Sequence, residues 1–182
     1  CNNNSTLAQK LKGRLHYYNF IEASGWLPAG AAGRFQNAKA VYEEFAGQLT
    51  PNPKPQTPNL SIVPHAPYSV SGDLWQAIQP FFEGKVVSIH NQETRFEDEF
   101  FLQGTGDFQR MFSLMKIDNS HHRPTERSSL QSYFEKLHGA GNILLVHNTF
   151  TKEEDILYVK RQASNVKGEN AEHRTSNIKH QT

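Results

Sequence analysis

The segment Lys85-Val86-Val87-Ser88-Ile89-His90-Asn91-Gln92-Glu93 joins a short β-branched run to a histidine and, three residues later, a carboxylate. A run this short makes a strand rather than a helix, and its Val-Val-Ser-Ile core predicts burial on both faces. Upstream, Ser71 is placed to cap a helix carrying Leu74, Trp75, Ile78 and Phe82, which Gly84 ends. Before that helix, Leu60 to Pro64 reads as another strand and runs into His65. Downstream, Arg95 to Leu102 reads as a short helix broken at Gly104-Thr105-Gly106, followed by a helix over Phe108 to Met115 with Asp107 as its cap. His121-His122-Arg123-Pro124 is a loop and Ser128 to Leu137 a helix; after Gly139 and Gly141 comes a further strand, Asn142-Ile143-Leu144-Leu145-Val146-His147. Thr151 is the expected cap of the next helix, with Glu153, Glu154 and Asp155 at the positive end of its dipole.

Nearer the N-terminus, Leu15 to Glu22 is aromatic and β-branched, which predicts a strand. Arg34 to Gln48 follows, where Phe35, Ala38, Tyr42, Phe45 and Leu49 form one helical stripe. Thr50 to Pro58 holds four prolines and reads as a surface loop. This alternation of strand and helix implies an α/β fold with a parallel sheet and helical crossovers. From about Arg161 to Thr182 the large apolar residues fall to Val166 and Ile178. Residues 161–182 are therefore expected to be a polar tail, disordered or divergent, on a domain spanning 1–160.

The chain has 182 residues, enough for one domain or a piece of a larger one. Its composition is 36% hydrophobic and its mean hydropathy −0.67, but the apolar residues gather in runs, which argues for a folded domain. Nineteen basic against eighteen acidic residues give a net charge of +1, too balanced for a nucleic-acid or anionic-membrane partner. The tail's Lys167, Arg174 and Lys179 have acids nearby and do not change that. A single cysteine excludes an internal disulfide framework and a Cys-rich zinc module. No apolar run approaches the ~20 residues of a membrane span. Cys1-Asn2-Asn3-Asn4-Ser5 has neither part of a signal peptide, so a cytoplasmic location is expected. Cys1 in place of a starting Met indicates processing or an excerpt. An N-terminal Cys nucleophile would sit on an antiparallel sandwich, which the α/β alternation argues against.

Pro64-His65, Ile89-His90 and Val146-His147 each place a histidine at a strand end. The ordinary reading of any one is a satisfied polar residue. In parallel α/β folds, however, the C-terminal strand ends form the functional face, where imidazoles can converge on a divalent metal or polar substrate. His90 also opens His90-Asn91-Gln92-Glu93, a spacing that offers a ligand and a carboxylate for general acid–base work. Glu22 reads equally as a rim group or a surface carboxylate. His16 is expected to pack in the first strand, and His121-His122 to be a loop pair rather than a metal site. Gly104-Thr105-Gly106-Asp107 lacks the feeding strand and Gly-Lys-Ser/Thr of a phosphate loop and reads as a turn.

Pro64-His65-Ala66-Pro67-Tyr68-Ser69, then Ser88-Ile89-His90-Asn91-Gln92-Glu93-Thr94, then Leu145-Val146-His147-Asn148 with Thr151-Lys152-Glu153-Glu154-Asp155, resemble consecutive landmarks of the amidohydrolase superfamily. The branch most similar is the cytosine-deaminase-like and chlorohydrolase-like one, which includes guanine, adenosylhomocysteine and aminofutalosine deaminases. The stretch Glu97 to Phe108 also resembles the segment that follows the His-x-x-Glu strand in that branch. The resemblance covers roughly residues 1–160. It implies a partial (β/α)8 TIM barrel, about strands 2–6 with their helices, and hydrolysis of C–N or C–Cl bonds on heterocycles.

By the same resemblance, His90 would be a metal ligand from the fifth strand and Glu93 the proton shuttle. His147, from the sixth, would orient the attacking hydroxide or stabilise the tetrahedral intermediate, and His65, from the fourth, would contact a small-molecule substrate. The implied cofactor is a divalent metal, zinc first, with iron or manganese compatible. The family's His-x-His and its last-strand Asp have no counterpart here, since Asp107 and Asp155 lie in the wrong context. With His90 as its one ligand, the chain as given is expected to be inactive, and an open sheet edge to favour association, including a homo-oligomer. The alternative is a non-catalytic small-ligand-binding or assembly protein on a degenerate half-barrel.

Overall fold

The computed structural model describes residues 2–49 and 59–163. After a short helix α1 (Leu7–Lys10), strands β1 (Asn19–Ala23), β2 (Leu60–Pro64), β3 (Val86–Asn91) and β4 (Asn142–His147) alternate with helices. These are α2 (Ala31–Leu49), α3 (Gly72–Ile78), α4 (Arg95–Gln103), α5 (Asp107–Leu114) and α6 (Ser129–Tyr133), with a last helix α7 over residues 153–163. The result is a mixed α/β molecule with parallel strands. β1 pairs with β2 from Asn19↔Leu60 to Ala23↔Pro64, and β3 with β4 from Val86↔Asn142 to Asn91↔His147. The two pairs adjoin: the Ser61 hydroxyl donates to the Val86 carbonyl at 2.6 Å and His90 N–H to the His65 carbonyl at 3.0 Å. Strand order thus follows chain order, which brings the C-terminal ends of all four described strands to one edge.

Pattern and capping explain most of these elements. α2 buries Ala31, Ala38 and Phe45, one residue every two turns, and packs Phe35, Tyr42 and Leu49 beside them. Ser71 caps α3 by accepting from Leu74 N–H, and Leu74, Trp75, Ile78 and Phe82 enter the core. Gly84 leaves that turn at φ +65°, where a side chain would be strained. The core joins these helical residues to Ile21, Ile62, Val87 and Ile89 from the strands.

Several expectations need correction. β1 begins at Asn19, where Asn59 first offers a carbonyl partner, so Leu15, His16 and Tyr17 lie outside the strand and exposed. β3 is buried on one face only: Val87, Ile89 and Asn91 are enclosed, whereas Val86, Ser88 and His90 alternate onto a half-open face. Asp107 is the first residue of α5, not its cap; Gly106 occupies that position, and Asp107 pairs with Arg110 at 2.9 Å. Thr151 does not cap α7, because its hydroxyl donates to Gln92 Oε1 at 2.6 Å. Asp155 takes over by accepting from Lys152 N–H, the reverse arm of a capping box. Residues 161–163, expected to open the tail, continue α7. Cys1, the Thr50–Pro58 loop and residues 164–182 lie outside the described residues. No described helix is long and apolar enough to cross a membrane.

Candidate metal centre

Alternation along β1 and β3 turns Glu22 and His90 onto the same half-open face, and parallel register brings the ends of β2 and β4 beside them. His65 follows β2, with its N–H bonded to the Ala23 carbonyl at 3.0 Å. His147 ends β4 at φ +75°, a conformation rare outside glycine. His65, His90 and His147 meet there: the first two rings lie 4.9 Å apart, and His90 Nδ1 is 3.0 Å from His147 Nε2. Glu22 Oε1 lies 3.5 Å from His90 Nε2 and 3.9 Å from His65 Nδ1. Glu93 stands at the opposite side of the group, its Oε1 3.7 Å from His147 Nε2.

One donor atom from each of Glu22, His65 and His90 falls within 4.8 Å of the others, close enough to hold one metal ion. The geometry adds Glu22 and His65 to His90 as candidate donors. Two imidazoles and a carboxylate form a set that zinc accepts, and that iron and manganese also tolerate. The site favours ionised Glu22: hydrogen bonding to His65, aided by the charges of His65 and His90, outweighs burial and holds its carboxyl down at about 2. Glu22 is therefore held in the ionised form that a metal donor needs.

Beneath this rim lies a buried polar network that the sequence pattern did not reveal. Asn91, Gln92, Glu97, Asp98, Ser129 and Asp155 are all enclosed. Gln92 takes φ +45° and its N–H donates to Glu97 Oε1 at 2.9 Å, while Glu93 N–H donates to Glu97 Oε2 at 3.3 Å. Gln92 Nε2 donates to Asp98 at 3.1 Å and Asp155 at 2.9 Å. Asn91 accepts from the buried Tyr133 hydroxyl and donates to Asn148, which ties the β3 exit to the β4 exit. Burial pushes Glu97 above the usual carboxylate range, against the hydrogen bonds it accepts from Ser129, Gln92 and Glu93. The available signal was the cluster of Asn, Gln and acids just past a strand end, but first-turn acids normally read as solvated dipole partners.

His121 and His122 stand apart from the centre. His122 stacks on Phe100 with ring centroids 4.0 Å apart, and burial lowers its pKa. Trp26 stacks on Phe112 and donates to Asn119 Oδ1 at 2.7 Å.

No family model matches this sequence, and no curated protein matches it. Among solved structures, that of Helicobacter pylori aminofutalosine deaminase superposes with a TM-score of 0.74 at 21% identity, covering 91% of this chain and 39% of that one. What the two share is the fold. The chain spans about two fifths of that enzyme's length.

Proposed function

We propose that this chain carries the strand-end machinery of a metal-dependent hydrolase of the amidohydrolase superfamily, acting on C–N bonds other than peptide bonds. The reaction is removal of an amino group from a heterocyclic or nucleoside-like small molecule. The observation that carries this reading is the convergence of Glu22, His65, His90, His147 and Glu93 on one edge of a parallel sheet. The deaminase fold of the solved neighbour supports it. The chain-ordered strands and their helices support a partial (β/α)8 barrel, with β1 to β4 as its third to sixth strands.

Glu22, His65 and His90 would hold the metal. When bound, it supplies Lewis acidity that brings a water's pKa to about 7. Glu93 would accept a proton from the attacking water and pass it to the leaving nitrogen, a task its exposed position permits. His147, 3.0 Å from His90, would orient the attacking hydroxide or stabilise the tetrahedral intermediate. His65 lies at the rim with its ring against His90, where it can serve the metal through one nitrogen and a substrate through the other.

The metal reading is tested by titrating the chain with Co2+ and following its visible absorption. One equivalent should bind, and Glu22→Gln and His90→Ala should each weaken binding by more than the ~10–100-fold that follows loss of a mere supporting partner. A wild-type chain that takes up neither Co2+ nor Zn2+ would overturn it. The catalytic reading is tested on the whole natural protein by ammonia release from heterocyclic amines. Glu93→Gln should keep the metal and lose roughly 10²–10⁴-fold in rate; an unchanged rate removes the shuttle role.

A further inference from the structure

Away from the rim, a crevice of about 160 Å³ opens between α3, α6 and the segment 117–127. None of Glu22, His65, His90, Glu93 or His147 lines it. Its walls include Trp26, Trp75 and Tyr133, and the last two stack with centroids 6.1 Å apart. The polar tips of these rings are engaged elsewhere: Trp26 Nε1 with Asn119 and the Tyr133 hydroxyl with Asn91. Trp75 and Tyr133 are buried and stack on each other behind the wall, so the partly exposed Trp26 is the ring that faces the crevice.

The charged lining is of one sign. Arg123 and Lys136 reach the crevice, and no Asp or Glu does. Arg123 is held by two bonds from one terminal nitrogen, to the Ser120 and His122 carbonyls, so two guanidinium nitrogens are not used by them. The Lys136 ammonium lies 5.6 Å from the centre of the Trp75 ring, and burial lowers its pKa. His121 also lines the space, and its buried Nε2 has no hydrogen-bond partner, an arrangement that costs free energy unless something supplies one. A buried polar atom, two cations and a set of aromatic walls ask for the same occupant.

We propose that this crevice binds a single-ring aromatic carboxylate, with its ring against Trp26 and its carboxylate toward Arg123, Lys136 and His121. The size agrees, since a cavity of ~150 Å³ accommodates one benzene ring. Ring stacking supplies the apolar part of recognition, and charge-assisted hydrogen bonds supply the preference for an anion. The site is independent of the metal centre and of the reaction proposed for it.

Trp26 and Trp75 are the chain's two tryptophans, so intrinsic fluorescence reads the crevice directly. Benzoate should give a saturable change, with benzamide (the neutral isostere) and acetate (the anion without a ring) each at least about tenfold weaker. Arg123→Gln and Lys136→Met should each weaken benzoate about tenfold while the circular dichroism stays that of the wild type. Equal responses to benzoate and benzamide, no saturable response, or variants that bind as the wild type does would each overturn the proposal. Should a variant misfold, the wild-type contrast between benzoate and benzamide, repeated by saturation-transfer NMR on the ligand ring protons, decides alone.

Discussion

Gln92 holds the His-x-x-Glu turn at φ +45°, a left-handed conformation that costs a side-chain-bearing residue roughly 1–2 kcal/mol. Its side chain explains why glycine does not stand there. The carboxamide nitrogen donates to both Asp98 and Asp155, and the oxygen accepts from Asn91 and Thr151. Gln92→Gly would relax the backbone and yet leave two buried carboxylates short of a donor. A hydrogen bond to a charged group is worth about 1.5–3 kcal/mol, so the loss exceeds the relief. Urea unfolding should show the glycine variant less stable by about 2 kcal/mol; a variant as stable as the wild type would mean that water replaces the carboxamide. The same turn fixes where Glu93 emerges from β3, since Glu97 accepts from the N–H groups of both Gln92 and Glu93.

At the scale of elements, Asp155 is the fastener. From the start of α7 it accepts from Ser128 and Gln131 at the α6 end, from Gln92 beyond β3 and from Lys152 N–H of its own helix. Burial pushes its carboxyl up, but these donors outweigh burial and the net shift is downward. An acid with a depressed folded pKa contributes stability that is full above its unfolded value of about 3.9 and is lost as pH falls toward the folded value. Acid unfolding should therefore steepen below about pH 4, and Asp155→Asn should flatten that part of the curve while lowering stability at pH 7. Equal slopes for the two proteins would sink the assignment. Such an element was not legible in the sequence, because an acid in the first turn of a helix looks the same whether it faces water or a neighbouring strand. The strands themselves were legible: Leu60–Pro64 and Asn142–His147 are bounded by β-branched and apolar runs that fit nothing else. The meeting of three histidines could be read because parallel strands share one C-terminal edge. Glu22 could not be placed, since a lone strand-end carboxylate carries no sign of which neighbour it will face.

At the scale of the whole molecule, the sheet has an edge that its own described residues do not cover. β4 pairs with β3 on one side, and beyond it Leu144, Phe150, Ile156 and Leu157 are 41–48% exposed. A strand edge with unpaired backbone groups beside apolar side chains is a template for a further strand, from the same protein or another copy. In isolation the chain should therefore self-associate through β4. A charge on the edge opposes such pairing, because it must be desolvated as the strands meet. Leu144→Lys should shift light scattering toward the monomer and weaken association at least about tenfold. Leu114→Lys provides the comparison, since Leu114 is 73% exposed but lies on α5, away from the strand edge. If both substitutions dissolve the assembly equally, association is driven by exposed apolar area in general. If Leu144→Lys alone does so, the contact is a strand seeking its next neighbour, as the chain-ordered parallel sheet requires.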